Sequence, residues 1–104
     1  SDDPQRNHLF IYYLTIRNQS SQTLTLLARK WVIHHDSGST EVIEGDKIVG
    51  ETPTLEPGQQ FSYNSYMLTG GNAQADGAFF GINHDGQKIH VRIPTFHLNP
   101  PQPE

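Results

Sequence analysis

A chain of 104 residues with 34% hydrophobic positions is the size of one domain around one core and too short for two. Seven Lys and Arg against eleven Asp and Glu leave a net charge of −4, which argues against nucleic acid as a partner. The absence of cysteine excludes disulfides, thiolate metal sites and a Cys nucleophile, and no apolar run approaches the roughly 20 residues of a spanning helix.

The opening "SDDPQRNH" has no signal-peptide h-region, so the expected setting is soluble and cytoplasmic, with no membrane contact. In "LFIYYLTIRN", Phe10, Tyr12, Leu14 and Ile16 share one side of an extended chain, and Ile11, Tyr13, Thr15 and Arg17 the other. This predicts a strand, partly buried on its second face. After the turn-like "NQSSQ", the apolar phase of "TLTLLARKWVIHH" changes: Leu24 and Leu26 have one parity, Leu27, Trp31 and Ile33 the other. A β-bulge or strand switch between Leu26 and Trp31 reconciles the two.

"HDSGS", "LEPGQ" and "NHDGQ" are turn clusters in which Gly38, Gly58 and Gly86 can take positive φ. Between them "QFSYNS" alternates through Phe61 and Tyr63, "AFFGIN" through Ala78, Phe80 and Ile82, and "KIHVRI" through Ile89, Val91 and Ile93. Asp85-Gly86 marks a hairpin between the last two. No segment keeps a helical period, and "NPPQPE" reads as an extended tail. The pattern predicts an all-β antiparallel sandwich with Trp31, Phe80, Phe61 and Tyr12 in its core. One domain spans residues 1–104, with a core over about residues 8–98 and a Pro-rich tail at 99–104.

The chain resembles the ApaG family through "YYLTIRN", "LTLLARKWVIHHDSG", "VIEGDKIVGETPTLEPGQQFSYNS" and "IHVRIPTFHL", in the family's order. The most specific pieces are Arg29-Lys30-Trp31, Val49-Gly50-Glu51-x-Pro53, Pro57-Gly58, Tyr63-x-Ser65 and Ile93-Pro94-x-Phe96. The resemblance implies a seven-stranded sandwich of immunoglobulin or fibronectin type III kind. It also implies an association with cobalt and magnesium tolerance in bacteria, a partner-binding role in F-box proteins, and no established reaction. Family members usually carry a strand ahead of the one at Phe10, where this chain has only "SDDPQRN". An exposed strand edge and weak homodimerisation through it are therefore expected.

The family's Gly-x-Gly-x-x-Gly reads here Gly45-Asp46-Lys47-Ile48-Val49-Gly50, with lysine at the middle glycine. In dinucleotide folds that glycine lets the backbone approach a pyrophosphate at a helix N-terminus. "ETPTLEPG" cannot open such a helix, and Glu44, Asp46 and Glu51 surround the loop with negative charge. The loop reads first as a demanding connection or a partner-facing surface. Its other reading is a phosphate or pyrophosphate site built by Gly45, Asp46, Lys47, Gly50 and Glu51 with Arg29.

His34 and Asp36 share a face of a strand and are candidate ligands for a divalent cation, whereas His35 points away. Further ligands would have to come from His84, Asp85, His90 or His97. Arg29 shares its face with Trp31, which places it at the core margin or against a carboxylate. Lys88, His90 and Arg92 form a basic outer stripe. With no nucleophile elbow or carboxylate pair in a recognisable context, the expectation is a non-catalytic domain without a resident cofactor, acting on a protein partner.

Overall fold

The computed structural model describes residues 7–100. Among them lie seven strands and no helix: β1 (His8–Arg17), β2 (Leu24–His35), β3 (Thr40–Asp46), β4 (Thr54–Leu55), β5 (Gln60–Thr69), β6 (Ala73–Asn83) and β7 (Lys88–Leu98). All pairings are antiparallel. β1 and β5 form a two-stranded sheet, while β3, β2, β6 and β7 lie side by side in a second sheet whose β2 also pairs with the short β4. The chain is thus an all-β antiparallel sandwich. The expected tail and the segment before Asn7 fall largely outside the described residues.

The phase change in β2 is a bulge. Leu26 pairs with Gly81 and Ala28 with Phe80, so Leu27 is the extra residue and stands exposed. One residue of slip turns Arg29, Trp31, Ile33 and His35 to the same side as Leu26. Gly81, opposite Leu26, permits the close approach: a Cβ there would lie 2.0 Å from the Thr25 carbonyl oxygen. The turn glycines Gly38, Gly58 and Gly86 all take positive φ, as expected.

Trp31 is the centre of the core. Its ring lies 5.3 Å from that of Tyr12 across the sandwich, 6.3 Å from Phe79 and 6.0 Å from Phe96, all edge-on. Such pairs add about 0.5–1.5 kcal/mol each beyond area burial. Ile16, Leu26, Ile33, Met67 and Ile93 complete the layer, and Phe61 and Tyr63 pack against it. Two expectations are corrected. Phe79, at 1% exposure, is the β6 core residue, and Phe80 is 41% exposed beside the His90 row. The second face of β1 is open rather than partly buried, because no layer among the described residues covers Leu9, Ile11 and Tyr13.

Asn18 ties together the turn after β1. Although 98% of it is covered, its Nδ2 donates to the Gln22 and Leu55 carbonyls, and its Oδ1 accepts from the Ser20 amide and hydroxyl. Its backbone exchanges hydrogen bonds with Gln59 and Gly58. A buried amide satisfied on both ends fixes the β1, β4 and β5 entry points relative to one another.

Candidate functional site

The 45–50 loop is built around Arg29. Cross-strand register sets Arg29 opposite Gly45, and the guanidinium lies over the glycine so closely that a Cβ would come within 2.9 Å of Nη2. Nη1 donates to the Asp46 and Lys47 carbonyls. Arg29 therefore sits at the core margin, as expected, but backbone oxygens take the place of the carboxylate partner. Lys47 occupies the left-handed region, at φ 69°, with its amide donating to the Leu27 carbonyl and its side chain exposed. The Ile48 amide donates to the Glu51 carbonyl, and Ile48 itself is buried at 3% exposure.

Asp46, Gly50 and Glu51 are exposed around this brace, and Gly50 takes φ 78°. Two of the loop's amides and one end of Arg29 are thus already committed within the protein. On one side of Arg29 lies a shallow depression bordered by Lys30, Glu44, Asp46 and Phe80. On the other an inter-sheet cleft of about 310 Å³ opens, with Trp31 and Ile33 beneath it. Tyr63 packs nearby, and burial, assisted by Tyr12, pushes its hydroxyl well above the ordinary phenol range while Arg29 pulls weakly the other way.

At the other end of the sandwich the two histidines part company. His34 faces outward, and its Nε2 meets Asp76 at 3.1 Å, a diagonal neighbour because Val32 is opposite Asp76. His35 is buried, with Nε2 3.3 Å from Glu41 on β3. Asp36 has left the strand for the turn, where its carboxylate would lie 3.1 Å from a Cβ at Gly71. The carboxylate brought to His34 is therefore that of Asp76, a partner visible only once the β2–β6 register is known. An open depression at this end is bordered by His34, Asp36, Asp76 and His97, whereas His84, Asp85 and His90 lie outside it. Among the described residues no group of three His, Cys, Asp or Glu side chains is placed to hold a metal ion. Lys88, His90 and Arg92 are exposed along β7, as their alternation predicts.

The family model for the ApaG domain matches residues 1–80. The chain belongs to the ApaG domain family. ApaG proteins of Acidithiobacillus ferrooxidans and Deinococcus radiodurans are each 37% identical to it over 97 residues, covering 91% and 92% of this chain and 76% and 75% of theirs. Among solved structures, a Bordetella pertussis protein described provisionally as ApaA superimposes with a TM-score of 0.87 at 27% identity, covering 97% of this chain and 84% of its own. A structural-genomics target solved by X-ray diffraction gives 0.86 at 31% identity, over 89% of this chain and 73% of that one. The ApaG membership and the all-β antiparallel architecture expected from the sequence are both established by these matches. No helix among the described residues is long and apolar enough to cross a membrane.

Proposed function

We propose that this ApaG domain is a non-catalytic binding module that docks a protein partner on the outer face of the β1–β5 sheet. The observation that carries this reading is a contiguous apolar row there, with Leu9 and Ile11 60% exposed, Tyr13 81% and Tyr66 61%. Register places Ile11 opposite Tyr66 and Leu9 opposite Leu68, so the side chains form one patch across both strands. Exposed patches of this kind mark interaction surfaces, and tyrosines supply contact area at low entropic cost. The edges of the two-stranded sheet, unpaired among the described residues, offer backbone groups to an extended segment, including one from a second copy.

In this reading the cobalt and magnesium tolerance implied by the family resemblance arises through the partner rather than through an ion held by this chain. The alternative, a phosphate or pyrophosphate site on the 45–50 loop, has less support. The Lys47 and Ile48 amides and Arg29 Nη1 are occupied by carbonyls, and Asp46 and Glu51 flank the loop.

The test is capture from source lysate with wild type, an Ile11→Glu/Tyr13→Glu double variant and Lys47→Ala. The expected result is a partner retained by wild type and Lys47→Ala and lost with the double variant. Equal capture by all three would overturn the assignment of the surface. Sedimentation equilibrium across a concentration series separates a foreign partner from a second copy.

A further inference from the structure

We infer that the inter-sheet cleft beside Arg29 is a binding site for a small monocarboxylate carrying an apolar, ring-sized body. The cleft lies between the β3 and β5 edges of the two sheets, on the inward side of the strands, and adjoins the outward patch of Leu9, Ile11 and Tyr13 at Tyr66 and Leu68. Trp31 and Ile33 form its floor, Ile43 and Ile48 one wall, and Tyr12 and Met67 the other. Its volume, about 310 Å³, is at the lower end of small-molecule pockets, which run from roughly 300 to 1,000 Å³ and combine apolar walls with a few polar groups.

The cation bordering the cleft is Arg29, and Ser65, Glu41 and Tyr66 are further polar residues along it. Arg29 is half-buried, its Nη1 donates to two neutral carbonyls, and among the described residues no carboxylate lies within ion-pair distance of it. A guanidinium end that is solvent-accessible and has only neutral carbonyl partners keeps its charge for an anion, and the remaining N–H donors of the planar fork suit a carboxylate. Gly45 leaves room for this position, since a Cβ there would displace the guanidinium. At the far end of the cleft stands Glu41, engaged with His35 at 3.3 Å. Arg29 is the cation among the described residues that border the cleft, so the site takes one anionic group followed by an apolar body.

Trp31 is the sole tryptophan of the chain and lies on the cleft floor, so its fluorescence reports occupancy directly. The probes are 3-phenylpropionate, the neutral 3-phenylpropionamide, inorganic pyrophosphate, and an acetylated tetrapeptide ending in phenylalanine, which carries the same carboxylate and ring at a chain end. The expected result is a saturable change with 3-phenylpropionate and at least tenfold weaker binding of the amide. Arg29→Met should reduce the acid to the level of the amide, and Arg29→Lys, which keeps the charge if the methionine variant fails to fold, should retain a preference for the acid. Tighter binding of the tetrapeptide than of the free acid would support the same site with a chain terminus as its source, and weaker binding would support a free acid. No saturable change up to millimolar concentration, equal affinity for acid and amide, loss of the acid preference in a folded Arg29→Lys variant, or a stronger response to pyrophosphate would each overturn the assignment.

Discussion

Lys47, at φ 69°, holds a backbone conformation that glycine holds at no steric cost. The left-handed region costs an L-residue about 1–2 kcal/mol, partly offset because glycine gains freedom in the unfolded chain. Lys47→Gly should therefore raise stability by up to about 1 kcal/mol, read as a higher urea midpoint with an unchanged slope. A loss of more than about 1 kcal/mol would mean that the lysine side chain holds the loop. Tyr63 carries a different liability. Its hydroxyl is buried without a hydrogen-bond partner among the described residues, and burial keeps its proton on at pH values where the unfolded phenol, near pKa 10, has begun to lose it. The folded pKa is the higher one, so this contribution to stability is full below about pH 10 and is lost as the pH rises through the folded value. Melting temperatures between pH 9 and 11.5 should fall more steeply for wild type than for Tyr63→Phe, and near neutrality the variant should match or exceed wild type, since it removes an unpaired buried group. Parallel curves would refute the account.

The strands show how far the sequence could be read. Trp31 was legible because the parity conflict in "TLTLLARKWVIHH" requires a bulge or strand switch between Leu26 and Trp31, while the choice of a bulge, and its place at Leu27, came only from the β2–β6 register. Phe79 was not, because "AFFGIN" is apolar on both faces and alternation within it cannot choose. The information lay in the hairpin: its turn is closed between Asn83 and Gln87, which sets Ile82 opposite Lys88. With Ile89 and Val91 inward, Ile82 and Phe80 must then point outward. Phe79→Ala should accordingly cost about 3–5 kcal/mol and Phe80→Ala under about 1 kcal/mol, measured by denaturant unfolding. Comparable losses would contradict the register. The candidate site was less legible than the fold. Arg29 and the 45–50 loop were singled out from their chemistry, but that Arg29 lies over Gly45, that His34 meets Asp76 and that His35 meets Glu41 all depend on pairings between distant strands.

At the scale of the molecule the two sheets are unequal. β2 and β6 each have neighbours on both sides, whereas β1 and β5 have only each other among the described residues. Local opening is easiest where few apolar contacts and many exposed backbone bonds coincide. Native-state hydrogen exchange should thus show β1 and β5 amides exchanging well before those of β2 and β6, and uniform protection across both sheets would argue against separate opening of the smaller one. That smaller sheet also joins residues remote in the chain, as in the Thr15–Ser62 hydroxyl contact across 47 positions. During synthesis at about 5–20 residues per second, β1 leaves the ribosome several seconds before its only described pairing partner exists. Throughout that interval the Ile11 and Tyr13 face and the Tyr12 and Leu14 face are exposed together. The nascent chain is then a natural client for holding chaperones, until β5 arrives and hides one side.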